Sequence, residues 1–524
     1  MTKTPGAKPA GNRAIETARE YHERTAHSYA SIRQSGHYLD WDTKPFLYKI
    51  YPDLPVTPIP REFPQPAQDT LNAVSAFQAT GAALTLETLA SLLFFTAGLA
   101  KKKTYPGGGE MHFRAAPSTG ALYQTEVYVV AGGLAGLPAG VYHFSPGDFC
   151  LRRLRAGDFR SELSAAALDD GIATSAATLV LTAIYWRNTW KYQARAYRHL
   201  FWDSGTMLAN LLATAGALGI PARLVTFFLD ARVNRLLALD SDKEVSLELV
   251  SLGSAAPPAV APAVEPISPR SLPLSSTEVD YPLAGEIHAA SSLVEPDEVR
   301  AVRASAMGAP RAVPGSLLSL PEPLPVSGKP LGETIIRRGS TRQFSGQPIS
   351  ARAMATALFH ATRGIPADFL QGPGHRLVDL YLIVNAVDGI EPGAYCYWPE
   401  AHGLERLKGG DFRGQAGFLC LEQALGSDAS VVIFFLADLG PILERFGNRG
   451  YRLANLEAGI IGGKCYLSAY GQGFGASGLT FYDGDVVRFF SPHAEAKDAL
   501  FVTVLGRSVR GTPSIEVPLQ LAKK

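Results

Sequence analysis

The strongest constraint on the fold is an internal repeat, because the same landmarks return in the same order in both halves of this 524-residue chain. The paired segments are GVYHF (140–144) and GAYCY (393–397), GDFR (157–160) and GDFR (410–413), AYR (196–198) and GYR (450–452), LG (218–219) and QG (472–473), and LG (252–253) and LG (505–506). Their offset stays at 253 or 254 residues from the first pair to the last. Chance does not produce an ordered series at one offset, so the repeat predicts two copies of one domain in tandem.

Each copy shows the same mixture of helical and strand patterns, in the order of a helix, a pair of strands, a long helix and a final strand. That order is typical of an α+β fold, and a chain of this length exceeds one ordinary hydrophobic core. The predicted parts are a mobile tail (1–15), a first domain with an N-terminal arm (16–253), a Pro/Ala/Ser-rich linker (254–330) and a second domain (331–524).

Residue spacing also predicts individual elements. The predicted helices are 86–99, 192–216 and 353–364, with a further short helix docked within 281–299, and the predicted strands are 126–130, 178–185 and 246–252. Residues 25–52 are so rich in aromatic residues and prolines that we expect an extended arm laid against a domain, not a regular element. Within the long helix, His199 and Asp203 are four residues apart and can pair, which favours a structural hydrogen bond over a catalytic role.

Composition narrows the class of partner. Lys plus Arg (49) nearly balance Asp plus Glu (48), so no overall field recruits nucleic acid or an anionic membrane, and a small partner is expected. The four cysteines form no C-x-x-C pair, which predicts free buried thiols, and the histidines show no metal-ligand spacing, so we expect no metal. We find no apolar run long enough for a membrane span or a secretory signal, which predicts a cytoplasmic protein.

An arginine-rich segment at residues 337–342 has the composition of an anion site. Three arginines and two hydroxyl side chains occur within these six residues, shortly before the helix-entry residues Pro348 and Ser350. Guanidinium groups bind phosphate oxygens bidentately, and hydroxyls with free N–H groups at a helix start complete such a shell. A solvated basic turn is the alternative interpretation.

A second segment, residues 117–120 (PSTG), forms a predicted turn before the strand at 126–130. Such a turn leaves backbone N–H groups free and lets a flat ligand approach the backbone, although it is also common as a purely structural turn. The glycines of residues 471–475 suggest a dinucleotide loop, but they follow a predicted helix where that loop must follow a strand. We therefore interpret them as a helix stop and a close approach to a ligand.

Together these segments resemble the nitroreductase superfamily. Residues 338–342 resemble its opening Arg-x-Ser-x-Arg element, which holds the phosphate of FMN, and residues 114–123 resemble its Arg-x-x-Pro-Ser-x-Gly-Ala-x-Tyr motif, which touches the flavin from across a dimer interface. Residues 25–52 resemble the leader of SagB-type dehydrogenases, a branch that includes azoline oxidases. Because nitroreductases are dimers with flavin at the shared interface, the resemblance implies that two fused copies form an internal pseudo-dimer.

The two copies have lost complementary parts of this pattern. The arginine element occurs only in the second half, and the PSTG turn only in the first, where the second half has residues 372–376 instead. One complete site can therefore be assembled from both halves, and its mirror image is expected to be empty, reduced or used to hold a substrate. The resemblance implies that the phosphate is bound by Arg338, Ser340, Arg342 and Arg507, and that the ring lies between Arg114, Pro117, Ser118, Thr119 and Gly120 on one side and Gly475, Ala476, Ser477 and Gly478 on the other.

Lys191 and Tyr192 are the candidate catalytic residues. Azoline oxidases carry a Lys-Tyr pair at a comparable place, where it acts in proton abstraction, and oxidation of a thiazoline or oxazoline requires both hydride loss and removal of a proton. A lysine of lowered pKa or a tyrosine can accept that proton. The alternative is an exposed lysine beside an interface aromatic residue. The second half has Arg445 and Phe446 at these positions, so the chemistry is expected only once.

The expected function is that of an FMN-dependent oxidoreductase, a SagB-type dehydrogenase that transfers hydride between the flavin and a peptide-derived or small heterocyclic substrate. The protein would position and electrostatically tune the cofactor, which performs the redox step. Two alternatives remain: an NAD(P)H-dependent reductase of nitro compounds or quinones, and a non-catalytic flavin-fold scaffold that binds a peptide or partner. The residues leave open the substrate, the electron donor or acceptor, the number of flavins, and whether chains pair into a further homo-oligomer.

Overall fold

The computed structural model describes residues 11–75, 79–104, 110–258, 260–305, 313–370 and 375–509, and these form an α+β protein, as predicted. The strands of the first half are β1 (Val56–Pro58), β2 (Leu99–Thr104), β3 (Glu110–Arg114), β4 (Thr125–Ala131), β5 (Gly140–Ser145), β6 (Cys150–Ala156), β7 (Ala177–Ile184), β8 (Ala222–Val225) and β9 (Glu244–Leu252). The strands of the second half are β10 (Leu318–Ser319), β11 (Ile349–Ser350), β12 (Val378–Val384), β13 (Val387–Asp388), β14 (Gly393–Trp398), β15 (Gly403–Gly409), β16 (Val431–Ala437), β17 (Gly475–Gly478) and β18 (Asp498–Gly506).

Helices precede, separate and follow these strands. Those of the first half are α1 (Glu16–Arg24), α2 (Tyr29–Gln34), α3 (Thr70–Ser75), α4 (Leu86–Ala97), α5 (Arg160–Ala167), α6 (Asp170–Ala173), α7 (Tyr185–Tyr192), α8 (Ala196–Ala217) and α9 (Asp230–Leu236). The remaining helices are α10 (Pro282–Ala290), α11 (Pro296–Ala304), α12 (Leu331–Arg337), α13 (Ala351–Ala361), α14 (Arg413–Leu419), α15 (Ala424–Asp428), α16 (Leu439–Phe446), α17 (Arg449–Gln472) and α18 (Asp483–Phe490). Three short 3-10 segments are Trp41–Thr43, Thr119–Ala121 and Gln193–Arg195.

Each half builds one seven-stranded antiparallel sheet, and the two sheets share one strand order. The order is β1-β6-β5-β4-β7-β9-β8 in the first sheet and β10-β15-β14-β12-β16-β18-β17 in the second. The irregularities recur as well, because the ladder between β7 and β9 shifts register after Leu181 and the ladder between β16 and β18 shifts after Phe435, at the equivalent position. A shared order with a shared bulge is the structural counterpart of the repeated landmarks.

The central strands are buried on both faces. Along β7, Leu179 and Leu181 belong to the large core that includes α8, whereas Val180 belongs to a smaller core that includes residues of α5 and α9. Alternate residues of a strand point to opposite faces, so a strand covered on both sides must be apolar throughout. This explains why these strands read as continuous apolar runs.

The two long helices, α8 and α17, pack against each other, and glycines allow their close contact. Gly205 in α8 and Gly459 in α17 occupy equivalent positions in the two halves. A Cβ on Gly205 would lie 2.7 Å from the carbonyl carbon of Gly459, and one on Gly459 would lie 2.7 Å from the carbonyl oxygen of Trp202. Any side chain at either position would overlap the opposite backbone and push the two halves apart.

Three predicted elements differ from the structure. The predicted helix 192–216 is α8, which starts later, at Ala196, because Gln193 adopts a φ of +50° and a 3-10 segment follows, so that Tyr192 instead ends the separate helix α7. The predicted extended arm contains a regular helix, α2, capped by Ser28. The helix expected within 281–299 is two helices, α10 and α11, each of which starts at a proline. The other predicted helices and strands are present with slightly different ends.

The predicted linker contributes α10, α11 and the edge strand β10, and the predicted domain boundaries stay a prediction. The four cysteines are free and buried, as their spacing predicts. Across the described ranges, every helix is too short or too polar to cross a membrane. Residues 1–10 of the predicted tail and residues 372–374 lie outside the described residues.

Glu248 is a buried acid whose titration should affect stability near neutral pH. It lies in β9, where the Ser204 hydroxyl donates a hydrogen bond of 3.0 Å to Oε1, and Oε2 has no partner among the described residues. Burial raises the pKa of Glu248 to about 8. Between its ordinary value of about 4.5 and this raised value, the folded protein therefore holds a proton that the unfolded chain releases.

We predict that Glu248→Gln reduces the pH dependence of unfolding. Wild-type stability should fall as the pH rises from about 4.5 towards about 8, because the folded state binds the additional proton in this range. Glutamine has no such proton, so the variant should gain thermal stability over wild type by several degrees near the upper end of that range and by much less near the lower end. Glu286→Gln, at an exposed position, is the control for charge removal, and an equal gain in both variants would contradict the assignment.

Candidate functional site

The arginine-rich segment lies against the first half of the chain. The Arg338 guanidinium donates two hydrogen bonds to the carbonyl oxygen of Ala115, from Nε (3.2 Å) and from a terminal nitrogen (2.7 Å). Lys101 of β2 donates to the carbonyl oxygens of Arg337 (2.9 Å) and Arg338 (2.5 Å). These bonds cross between the halves and fix the predicted anion element on the first-half backbone.

Positive charge collects at this junction. Burial, and then the charge of Arg338, lowers the pKa of Lys101 to about 7. Lys101, Arg338 and Arg342 form no ion pair with any carboxylate of the described residues. Cations that lack a protein counter-ion favour the binding of an external anion.

The same segment packs against the edge strand β17. The Thr341 N–H donates to the carbonyl oxygen of Ala476 (2.9 Å), and a Cβ on Gly475 would lie 2.1 Å from the Thr341 hydroxyl, so glycine is required there. The Tyr466 hydroxyl lies 3.4 Å from the Ser340 hydroxyl and accepts a hydrogen bond from the N–H of residue 478. The structure thus brings the predicted phosphate element together with residues 475–478, which the resemblance places against the flavin ring.

The three remaining arginines of this region differ in availability. Arg342 is exposed and has no hydrogen-bond or ion-pair partner among the described residues. Arg507 is exposed, and its Nε donates to the carbonyl oxygen of Pro348 (2.8 Å). Arg337 is exposed and pairs with Glu333 at 3.0 Å. Arg342 is therefore the arginine best placed to take an anionic ligand.

One buried carboxylate, that of Asp203 in α8, holds the PSTG turn. Asp203 accepts hydrogen bonds from the Ser118 hydroxyl (2.6 Å) and from the N–H (2.8 Å) and hydroxyl (2.7 Å) of Thr119. The Gln124 amide donates a further bond of 2.7 Å. Burial raises the pKa of Asp203, and these donors oppose the shift. Gly120 completes the turn with a φ of +64°, in the left-handed region.

Arg114 precedes the turn and is buried. Its terminal nitrogens donate to the carbonyl oxygens of Thr125 (3.2 Å) and Leu47 (2.7 Å), and the Glu126 carboxylate lies 4.0 Å away. Its Nε is buried without a partner among the described residues. A small cavity in this region is lined by Arg114, Pro117, Ser118, Tyr123, Asp203 and Met207, among others.

Lys191 and Tyr192 end helix α7 beside the turn. The Tyr192 hydroxyl lies 3.0 Å from the place where a Cβ on Gly120 would be, so the glycine leaves room for it. The Lys191 ammonium lies 5.3 Å from the centroid of the Tyr192 ring. Burial, followed by Arg342 and Lys44, lowers the pKa of Lys191, and burial raises the pKa of Tyr192. The positive charge of Arg342 favours the deprotonated form of both side chains, so the predicted catalytic pair lies near the anion element.

His199 and Asp203 do not form the predicted hydrogen bond. Nδ1 of His199 lies 2.8 Å from the Asn188 side-chain oxygen, and its Nε2 is buried without a partner among the described residues. The Tyr192 ring packs edge-on against the His199 ring, with centroids 4.5 Å apart. Asp203 instead accepts hydrogen bonds from the PSTG turn. His199 and Asp203 therefore bind different partners, although they are four residues apart on α8.

The mirror-image position, at edge strand β8 of the first half, is filled by residues 365–370 of the second half. The N–H of Leu224 donates to the carbonyl oxygen of Pro366 (2.8 Å), and the N–H of Asp368 donates to that of Leu224 (3.1 Å). This segment therefore extends the sheet edge at β8. At this edge of the sheet, the chain itself therefore closes the incomplete site.

Comparison with this mirror-image position points to two backbone donors at the equivalent place in the second half, beside β17. The Asp368 carboxylate accepts hydrogen bonds from the N–H (2.9 Å) and hydroxyl (2.6 Å) of Thr226 and from the N–H of Phe227 (3.0 Å). The equivalent residues of the second half are Thr480 and Phe481, and their N–H groups have no hydrogen-bond partner among the described residues. Two neighbouring backbone donors are thus available to an acceptor on a ligand.

Comparison with known proteins agrees with this geometry. Residues 75–254 match the model of the Nitroreductase family. A Methanocaldococcus jannaschii protein named as a nitroreductase is 28% identical over 162 residues, which cover 30% of this chain and 81% of that protein. Within the first half, the likeness to the Nitroreductase family therefore covers residues 75–254.

The nitroreductase likeness extends beyond this domain. A crystal structure named as a nitroreductase from Anabaena variabilis has a TM-score of 0.73 and 26% identity, over 94% of this chain and 99% of the other. A chain of the E. coli microcin synthetase McbBCD complex aligns with 47% of this chain and 95% of its own length, at 18% identity, and its TM-score of 0.29 is too low to support a subtype. The nitroreductase domain supports the general class expected from the sequence, a flavin-type oxidoreductase.

Some residues of this site were absent from the predicted set. The sequence did contain a signal for Lys101, because this residue begins a run of three lysines ahead of the motif at 114–123. Tyr466 had none, since its hydroxyl meets Ser340 only through the packing of α17 beneath the segment. Asp203 was singled out for the wrong partner, because helical spacing reveals only neighbours on the same helix.

Replacing Asp203 by alanine should release the PSTG turn. Four hydrogen bonds lose their acceptor, and donors left unsatisfied in a buried place should lower the free energy of unfolding by about 3 kcal/mol. Hydrogen exchange at residues 118–121 should accelerate in this variant, and Asp203→Asn, which keeps one acceptor oxygen, should be intermediate. Asp280→Ala, at an exposed position, should change neither quantity. Equal exchange in the Asp203→Ala and Asp280→Ala proteins would show that the turn does not depend on this carboxylate.

Proposed function

We propose that the chain binds a single FMN between its halves and acts as an FMN-dependent oxidoreductase. The observation that carries this proposal is the convergence of segments that are far apart in the sequence. Residues 338–342 contact the edge strand 475–478 of their own half and also the first half next to residues 114–120. The nitroreductase domain of the first half supports the same class of chemistry.

The donors at this junction suit a phosphate ester. The Arg342 guanidinium has no protein partner in the described part of the chain, and the Ser340 hydroxyl lies on the same segment. Arg338 adds positive charge next to them, although its own donors are used on backbone carbonyls. Lys101 lies beside Arg338 with a pKa lowered to about 7, so a bound anion would favour its protonated form. An anion would therefore be held mainly by Arg342 and Ser340, next to the charge of Arg338.

The ring of a flavin needs flat backbone surfaces and donors at its edge. Gly120 and Gly475 lack a Cβ, which lets the hydroxyls of Tyr192 and Thr341 pack against the backbone on the two sides of the junction. The N–H groups of Thr480 and Phe481 are available, and their counterparts in the first half already hold a carboxylate. These residues would hold the polar edge of the ring, and the mirror position cannot do so, because Asp368 uses its donors.

When bound, FMN supplies two-electron transfer, and the protein supplies binding, orientation and proton transfer. Lys191 is the residue best suited to the proton. Burial and the nearby charges of Arg342 and Lys44 favour its neutral amine, which is the form that accepts a proton. Burial raises the pKa of Tyr192, so this hydroxyl stays protonated and can donate a hydrogen bond.

We favour a dehydrogenase of the SagB type, acting on a peptide-derived or small heterocyclic substrate. A thiazoline or oxazoline that loses a hydride also loses a proton, and Lys191 is a base available for that proton. The second half carries Arg445 and Phe446 at the equivalent positions, so the pair is built once per chain. The runner-up is an NAD(P)H-dependent reductase of nitro compounds or quinones, which the nitroreductase names of the Methanocaldococcus and Anabaena relatives favour. Steady NAD(P)H consumption with menadione would select the reductase.

The first test is to reconstitute the purified chain with FMN, release the flavin and count it. A single FMN per chain is expected, because Asp368 closes the mirror position. Arg342→Ala should weaken FMN binding by roughly 10-fold to 100-fold, the effect of losing a hydrogen bond to a charged group. Arg337→Ala is the matched control, since Arg337 is exposed and paired with Glu333, and it should bind FMN as wild type does. Equal binding by the Arg342→Ala and Arg337→Ala proteins would overturn the phosphate assignment, and absence of flavin from wild type would favour a scaffold.

A second test concerns proton transfer. Lys191→Gln should retain FMN but lower the dehydrogenation rate of a thiazoline-containing peptide by about 10²-fold to 10⁴-fold, the usual contribution of a positioned base. Lys44→Gln removes a neighbouring, exposed lysine and should retain most of the activity. Unchanged turnover in Lys191→Gln would exclude this lysine as the base.

A further inference from the structure

The N-terminal arm, defined as α1 with residues 25–27, is tied into the molecule by a buried ion-pair cluster. Arg195 and Arg198 of the first half pair with Asp483 of the second, at 3.0 and 2.6 Å. Arg195 also donates to the carbonyl oxygen of Thr25 (2.7 Å). Arg198 donates to the carbonyl oxygen of His22 (2.6 Å). Breaking such buried pairs leaves an uncompensated charge, so the end of the arm has a defined position.

The same arrangement occurs a second time, around helix α10. Arg449 and Arg452 pair with Asp230 at 2.9 and 2.8 Å. Arg452 donates to the carbonyl oxygen of His288 (2.7 Å) and to the hydroxyl of Ser291 (2.7 Å). Each half of the molecule is therefore preceded by an arm, and the two arms are anchored alike.

The arms end on equivalent residues, His27 and Leu293. The N–H of His27 donates to Oδ2 of Asp483 (2.8 Å), and the N–H of Asp483 donates back to the carbonyl oxygen of His27 (3.1 Å). Leu293 exchanges the same two bonds with Asp230, at 2.9 and 3.2 Å. The backbones match, so the two sites differ here in the side chain alone.

That side chain meets a different partner at each site. Nδ1 of His27 lies 3.3 Å from the Thr480 hydroxyl, within hydrogen-bonding distance. Leu293 is apolar and wholly buried, and the equivalent hydroxyl, that of Thr226, donates to Asp368 instead. The imidazole is thus found at the composite site, where the threonine N–H is available to a ligand, and a leucine at the site that the chain has closed.

The arm also ends near the candidate catalytic residues. The pKa of His199 is lowered by burial above all, and then by nearby positive charges that include Arg195, Arg198 and Lys191. Arg195 and Arg198, which hold the end of the arm, and Lys191, at the end of α7, therefore act on the same imidazole.

We propose that His27 is a positioning residue of the composite site, holding the Thr480 hydroxyl so that the N–H groups of Thr480 and Phe481 stay directed at the ligand. The inference rests on the proposed binding of FMN there. Burial and the charges of Arg195 and Arg198 lower the pKa of His27 to about 3. The imidazole is therefore neutral near pH 7, with one nitrogen free to accept from the threonine hydroxyl and the other a donor.

The test compares His27→Leu with Leu293→Ala in the full chain. His27→Leu installs the residue that the chain itself carries at the equivalent place, so the backbone bonds to Asp483 can persist. We expect its FMN dissociation constant to rise about tenfold, the effect of one lost hydrogen bond, and the absorption spectrum of its bound FMN to change. Leu293→Ala disturbs the other arm and should lower thermal stability while it leaves FMN affinity and spectrum unchanged.

Two further variants separate positioning from general support of the fold. His27→Asn keeps a side chain that can bond to Thr480 and should recover most of the affinity. Thr480→Val removes the other partner, and the double variant His27→Leu/Thr480→Val should bind FMN no more weakly than either single variant, because both remove one interaction.

The outcomes distinguish this inference from the proposed function. Wild-type FMN affinity and spectrum in His27→Leu would overturn the role of His27 and leave the proposed function intact. If that variant fails to fold, Thr480→Val gives the same test, and wild-type affinity there overturns the role. Wild-type protein that takes up no FMN would overturn the proposed function itself, together with the inference built on it.

Discussion

The contact between the two long helices supports the rest of the structure. Gly205 of α8 and Gly459 of α17 have no side chains at the point of contact, where a Cβ on either would lie 2.7 Å from the opposite backbone. This close approach lets polar side chains of each helix form ion pairs with residues of the other half. Arg198 of α8 reaches Asp483, and Arg452 of α17 reaches Asp230. The proposed composite site thus depends on how closely the two halves can pack.

One fold, used twice, has produced two sites of different character. At β8 the chain adds residues 365–370 to the sheet edge, and Asp368 satisfies the nearby backbone donors. At β17 the added segment is the arginine element, which covers part of the edge but leaves the donors of Thr480 and Phe481 available. Because an unpaired donor is costly unless water or a ligand satisfies it, this asymmetry supports the proposal that the ligand binds at the second edge.

Buried charges join the parts of the molecule. An isolated buried ion pair contributes little net stability, because desolvation offsets the attraction, but removal of one partner is costly. The pairs of Asp230 and Asp483 each connect an arm, a long helix and the opposite half. Any other docking of the two halves would leave several arginines buried without a counter-ion, so these pairs select one arrangement.

The sequence by itself determined the α+β class, the repeated order of landmarks and most helices and strands, because apolar periodicity and turn residues are local properties. It also pointed to the segments 338–342, 117–120 and 475–478, which the structure brings to one junction. Only the tertiary structure decided that Asp203 serves the turn and not His199, that Lys101 joins the anion element, and that the chain closes its own mirror site. These depend on contacts between residues from tens to hundreds of positions apart, and such contacts follow from the packing of the two halves, which local residue patterns do not specify.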